Sequence, residues 1–188
     1  MASVQVEKMG KHRDLGESSE ELEGYRDGVA VPGRDDLRFI VDVNVGKLAK
    51  WLRILGFDTL FINPIDDGDL VDIALREGRV VLTKDTHIAE RRLVTSGQVR
   101  VLEVEGERVA EQLRFVVDAL GLRDRFRPFS RCLEDNLPLQ PIERELVRGR
   151  VPPYVFRTQE RFMVCPRCGR IYWPGTHWQR MREVAGEL

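Results

Sequence analysis

Cysteine is too scarce in this chain for a disulfide framework. There are three in 188 residues, an odd number, which fits a reducing compartment. No apolar run approaches the roughly 18 residues that a membrane span needs. The opening stretch, MASVQVEKMGKHRDLGESSEELEGYRDG, has no apolar core for a secretory signal. A cytoplasmic location with no membrane partner is therefore expected. A Gly-rich phosphate loop is also missing, which argues against nucleotide binding through backbone amides. Internal repeats and low-complexity tracts are absent.

What the chain does have is a hydrophobic content of 42 %, enough for a real core, and a net charge of only −1. That charge is unevenly spread: −4 over residues 1–36, −2 over 37–122 and +5 over 123–188. A basic C-terminal third permits a polyanionic partner without proving one. Residues 1–36 are polar, acidic and aperiodic, and read as a flexible tail.

From Leu37 the texture changes. LRFIVDV, DTLFI, RVVLT and VRVLEV are short apolar runs suited to buried strands. Helical spacing follows each of them. Val45, Leu48, Trp51, Leu52 and Leu55 form the first stripe, stopped by Gly56; Val109, Leu113, Val116, Val117 and Leu120 form the last. The segments NPIDDGDLVDIALREG and KDTHIAERRLVTSG each give a turn and a helix. Four strands alternating with four helices predict an α/β fold, an open parallel sheet with helices on both faces. After Leu122 the alternation stops, and residues 123–188 are rich in Arg, Pro, Cys and aromatics. They hold too little apolar mass for a second full core, a shortage that a metal staple would offset.

In such a sheet, ligands bind beyond the carboxyl ends of the strands, and three acids fall there. Asp42 ends the first strand, Asp67 opens the second helix with Asp66 and Asp69 beside it, and Asp85 follows the third strand. Each alone could be a helix N-cap. Gathered together, carboxylates repel one another unless a cation intervenes, and hard oxygen donors suit Mg²⁺ or Mn²⁺. Thr83 could orient Asp85 or serve only as a strand residue. Asn44 could bind substrate or cap its helix. Lys47, Lys50 and Arg53 recur every three residues off the apolar stripe and could meet phosphates, although Lys50 fits a solvated face. His87 reads as a surface helix residue.

The segments RFIVDVNVGKLAKWLRILGFDTLF, DDGDLVDIALREGRVVLTKD, SRCLEDNLPLQPI and RVPPYVFRTQERFMVCPRCGRIYWPGTHWQRM resemble the Mut-seven C-terminal (Mut7-C) RNase family over residues 37–182. The resemblance implies a PIN-like nuclease domain at 37–122, a zinc ribbon at 123–182 and a short tail at 183–188. It also implies metal-dependent RNA hydrolysis by in-line attack of metal-activated water, leaving 5′-phosphate and 3′-hydroxyl ends. The metal-binding acids become Asp42, Asp67 and Asp85, with Asp69 the substitute for Asp67.

Cys165 and Cys168 in CPRCG have the spacing by which two thiolates grip one tetrahedral zinc, and Cys132 is the reasonable third ligand. The family's first knuckle reads Cys-x-x-Cys, whereas CLED here puts Asp135 in the second position. Asp135, His177 or a weakened site are the open alternatives for the fourth ligand. Tyr172, Trp173 and Trp178 lie among Arg167, Arg170, Arg180 and Arg182. Such interleaving can stack bases and neutralise phosphates, with Arg167 and Arg170 the leading substrate contacts; alternatively, the aromatics fill a small core. Two rival classes share these features: a phospho-acceptor domain, which would need paired acids after the first strand, and a non-catalytic RNA- or protein-binding adaptor.

Overall fold

The computed structural model describes residues 37–174, together with a two-residue antiparallel pairing of Tyr25–Arg26 with Val29–Ala30. The tails expected over the rest of 1–36 and over 183–188, and with them His177, Trp178, Arg180 and Arg182, lie outside the described residues.

Arg38–Val41 (β1), Asp58–Phe61 (β2), Val80–Thr83 (β3) and Val101–Glu103 (β4) form a four-stranded sheet in the order β2-β1-β3-β4. Every pairing is parallel, with Val41 opposite both Phe61 and Leu82. Pleating sends alternate side chains to opposite faces, and both faces are covered. Phe39, Val41, Val80 and Leu82 pack against helices Lys47–Ile54 (α1) and Val109–Leu120 (α5) through Leu48, Leu52, Leu113, Val116 and Val117. Ile40 and Val81 meet Leu70, Val71 and Ala74 of helix Asp67–Glu77 (α2), joined by Ile88 and Val99. Each fully buried aliphatic chain contributes about 1.5–3 kcal/mol, so the apolar strands are accounted for by two-sided burial.

One element departs from expectation. The helix foreseen after β3 is split into Thr86–Ala89 (α3) and Arg92–Thr95 (α4), with Arg91 extended between them. In one unbroken helix, Ile88 and Leu93 would point about 140° apart. The break lets both join the same core cluster.

The C-terminal part builds a second, smaller layer. Gln140–Ile142 (β5), helix Pro153–Thr158 (α6), Phe162–Val164 (β6) and Ile171–Tyr172 (β7) follow in that order, and the strands pair antiparallel as β5-β6-β7. Val147, Val151 and Phe162 form its apolar cluster, with Trp173 packed against it. Trp173 therefore serves the core of this layer.

Gly56, the expected helix stop, has a second duty. Its φ is +97°, and a Cβ there would sit 2.2 Å from the carbonyl oxygen of Arg127. Only glycine admits both the backbone angle and that approach. The Arg127 amide completes the joint by donating to Leu55 O at 2.8 Å.

Candidate functional site: an acidic rim and a thiolate cluster

The carboxyl edge of the parallel sheet carries Asp42 directly after β1 and Asp85 two residues after β3. Thr83 binds them together. Its hydroxyl donates to Asp42 Oδ2 at 2.6 Å and accepts the Asp85 backbone N–H at 2.8 Å. Thr83 is fully buried and Asp42 is 5 % exposed. Asp42 Oδ1 accepts its neighbour's amide, Val43 N–H, at 2.5 Å. Asn44 closes the loop: Nδ2 approaches Thr83 Oγ1 at 3.4 Å, and Oδ1 accepts the Lys84 amide at 3.1 Å. Asp85 Oδ1 caps α3 by accepting His87 N–H at 2.8 Å. His87 itself is exposed, as expected.

Asp42 makes no ion pair among the described residues. A buried carboxylate without a countercharge is costly, and that is a setting which a bound cation would relieve. Asp67 is placed differently. It opens α2 on the same edge, but its Oδ2 is held by Arg91 at 3.3 Å. Asp66 Oδ1 caps that helix through the Asp69 amide at 2.9 Å. Asp42, Asp67 and Asp85 do not gather their oxygens within 4.8 Å of one another; among the described residues, one group of three or more potential ligands does so, and it is the thiolate cluster.

Beside the rim runs a groove of about 710 Å³. Asn44, Lys47, Phe61 and Arg108 line it, with Lys50 and Glu134 at one end. Lys47 is exposed and available. Lys50 is paired with Glu134 at 3.2 Å, and Arg170 reaches the same carboxylate at 3.5 Å. Arg167 is exposed.

Arg53 is the correction. Expected among the phosphate-binding cations, it is 9 % exposed and turned inward. Its Nε donates to Thr59 O at 2.9 Å, and its Nη1 donates to Leu133 O at 2.8 Å and Glu134 O at 3.0 Å. Burial lowers its pKa, opposed chiefly by Glu134, yet a guanidinium keeps its charge. Arg53 pins the first knuckle to the parallel sheet.

That knuckle forms half of the second site. Cys132, Asp135, Cys165 and Cys168 bring one ligand atom each to within 4.8 Å of all the others. Cys132 and Cys168 sulfurs are 3.8 Å apart; Asp135 Oδ2 is 3.6 Å from Cys132 Sγ and 3.1 Å from Cys165 Sγ. Tetrahedral zinc with Zn–S near 2.3 Å requires S···S edges of about 3.8 Å and S···O edges of about 3.5 Å. The donor set fits such an ion.

The two halves share one backbone design. Asn136 N–H donates to Cys132 O at 3.1 Å, and Gly169 N–H to Cys165 O at 3.0 Å. Asn136 has φ +59° and Gly169 φ +67°. Both residue types tolerate this left-handed region, so Asp135 stands where Cys168 stands in the other half. Without a bound metal, Asp135 pushes the Cys168 thiol up to about 12, and the Cys168 and Cys165 thiols lower the pKa of Asp135 in return. Burial would raise Cys132, but the Tyr172 hydroxyl, 3.1 Å away, and nearby amides reverse that and lower it. Tyr172 is thereby committed to the knuckle.

The seam between the layers has no periodic signature in the sequence. Asn136 donates Nδ2–H to Asp58 Oδ1 at 2.7 Å and accepts Thr59 N–H at 3.0 Å. Asp58 also accepts from buried Arg79 at 2.7 Å. The one available signal was an Asn in the position that CPRCG gives to Gly.

The protein is a mixed α/β one, with a four-stranded parallel sheet flanked by helices and a Cys/Asp cluster that could hold a metal such as zinc. The Mut7-C RNAse domain model matches residues 37–185, and the chain belongs to that family. Membership ties it to ribonuclease-type action, with RNA as substrate or partner. No curated protein and no solved structure gives a significant match. No helix among the described residues is long and apolar enough to cross a membrane.

Proposed function

We propose that the protein is a metal-dependent endoribonuclease of PIN-like type whose reacting centre is the Asp42–Thr83–Asp85 rim. In this reading, residues 37–122 are the nuclease domain and 123–182 a zinc ribbon that helps hold RNA. The observation that carries it is Thr83, a buried hydroxyl that fixes the first acid and the loop of the third with bonds of 2.6 and 2.8 Å. Pre-set geometry of this kind is what positional catalysis needs.

Asp42 and Asp85 would hold a Mg²⁺ or Mn²⁺ ion. When bound, such an ion acidifies a water and neutralises charge on the phosphodiester. This chain's own residues do the rest. Thr83 keeps Asp42 oriented, and Asn44 holds the Lys84 amide and with it the loop that leads to Asp85. Lys47 offers a cation to the RNA backbone along the groove, while Arg167 and Arg170 extend it over the ribbon. Asp67, paired here with Arg91, and Asp69 next to it on α2 would complete the set of residues that hold the ion. Zinc at Cys132, Asp135, Cys165 and Cys168 would staple the ribbon, with no part in the reaction.

The Asp67–Arg91 pair favours a second reading, a non-catalytic RNA- or protein-binding adaptor in which the second acid stays paired with Arg91. Purified protein incubated with single-stranded and structured RNA, with Mn²⁺ or Mg²⁺ and with chelator, separates the two. Cleavage is expected that needs metal and disappears in Asp85→Asn. Cleavage persisting in that variant would sink the assignment, and none in either protein supports the adaptor.

A further inference from the structure

At the opposite, amino-terminal edge of the parallel sheet lies a cavity of about 410 Å³. It opens between the starts of β1 and β2 and the chain that leads to the first knuckle. Arg38, Arg125, Arg127 and Arg131 line it, facing two acids, Asp58 and Asp124. The acids do not balance these charges. Asp58 already accepts from Arg79 and Asn136, both at 2.7 Å, and stands 3.9 Å from Arg131. Arg131 also donates to Asn136 O and is repelled by Arg79 and Arg38. Arg38 and Arg127 make no ion pair among the described residues.

Arg125 is the unusual member. Its Nη1 is buried and has no hydrogen-bond partner among the described residues. A buried charged donor left unsatisfied is expensive, and a ligand or ion that completes it is one reason a native structure keeps such a group. Several guanidinium forks converging on one space match the oxygens of a phosphate better than those of a monovalent ion. Phe57 and Phe126 wall the same space, edge to face at 6.2 Å, and can take a base against an apolar side. The volume suits a nucleotide-sized ligand. β1 separates this cavity from the acidic rim: Arg38 and Asp42 are four residues apart, about 13 Å along a strand.

We propose that this cavity is a second, non-catalytic anion site that takes a terminal phosphate, carried by a nucleotide or an RNA 5′ end or free in solution, with Arg125 as its central donor. The proposal stands independently of the ribonuclease reading, because none of its residues belongs to the acidic rim.

Calorimetric titration of the full, zinc-loaded chain at low ionic strength and without added Mg²⁺ or Mn²⁺ tests it. The probes are inorganic phosphate, adenosine 5′-monophosphate, and one RNA hexamer made with a 5′-phosphate and with a 5′-hydroxyl. Saturable phosphate binding is expected, weakened about tenfold by Arg125→Gln, the loss of one charge-assisted pair. Arg38→Gln, at the exposed first position of β1, weakens it in the same direction, and Asp42→Asn leaves it unchanged. A hexamer preference for the 5′-phosphate assigns the RNA end as the source, tighter binding of the monophosphate assigns a nucleotide, and equal binding of all phosphates assigns the free ion. The proposal is overturned if neither phosphate nor the monophosphate binds and the two hexamers bind alike. It is equally overturned if binding is indifferent to both arginine substitutions.

Discussion

Arg53→Lys separates two roles that a cation on α1 can have. A phosphate-contacting cation tolerates lysine, since charge is what it supplies. A pin that spans three carbonyls does not, because a single ammonium cannot reproduce a planar fork. Arg53 donates to Thr59 O, Leu133 O and Glu134 O over 2.8–3.0 Å from a nearly buried position. Hydrogen bonds to a charged group contribute about 1.5–3 kcal/mol each. Water can reach the Leu133 and Glu134 carbonyls, so a net loss of about 3 kcal/mol is expected rather than the full sum. For a domain of this size that corresponds to a fall in Tm of roughly 6–12 °C. Urea and thermal unfolding of zinc-loaded wild type and variant measure it, and zinc release to a chromogenic chelator should quicken because the pinned loop carries Cys132 and Asp135. RNA affinity, measured where both proteins are folded, should stay unchanged. A variant within 1 kcal/mol of wild type, or one equally stable but weaker in RNA binding, would refute the pin and restore Arg53 as a substrate contact.

Asp135→Ala should lower the zinc content of the purified protein, while Asp135→Cys should retain zinc against chelator longer. With Co²⁺ in place of zinc, thiolate charge-transfer intensity should rise by about one third in the cysteine variant, as thiolate ligands go from three to four. Unchanged zinc in Asp135→Ala removes Asp135 from the site. Thr83→Val should reduce metal-dependent RNA cleavage about tenfold or more through kcat, with partial rescue in Thr83→Ser, because the Asp42 carboxylate and the Asp85 amide lose their shared hydroxyl; equal kcat in valine and wild type counts against Thr83 as a positioning residue. Asp58→Asn should destabilise the fold near neutral pH by about 1–3 kcal/mol, a figure discounted for its partial exposure. Burial pushes the Asp58 pKa up, but the hydrogen bonds from Arg79 and Asn136 and the charges of Arg79 and Arg131 reverse that and lower it. The wild-type advantage is therefore present above the unfolded carboxyl pKa, about 3.9, and lost as pH falls through the lower folded value. Unfolding free energies of the two proteins should converge below about pH 4, and a constant gap down to the lowest pH would exclude ionised Asp58 as the cause.

Periodicity was the legible part of this protein. Apolar runs of four residues, separated by helical stripes and Gly stops, dictate buried strands and covering helices, since no other arrangement removes both faces of β1 from water. Asp42 and Asp85 were legible for the same reason: strand ends are the easiest register to read, and loops at that edge face outward together. The Cys-x-x-Cys spacing was legible because one chelating turn is local. Local pattern could not show which side of α1 the basic residues served. Lys47, Lys50 and Arg53 are indistinguishable by spacing, yet one is exposed, one pairs with Glu134 and one is buried beneath the knuckle.

Sequence by itself determined the α/β alternation, the acids at the strand ends and the candidacy of Asp135 as a zinc ligand. Tertiary structure alone decided that Asp135 Oδ2 meets the sulfurs, that Thr83 couples two acids and Arg91 neutralises a third, and that Arg53 and Asn136 hold two layers together. The division has one cause. Burial patterns and chelating turns are set by residues within a few positions of each other, whereas a hydrogen bond between chain segments eighty residues apart depends on how whole layers dock, and no local spacing encodes it.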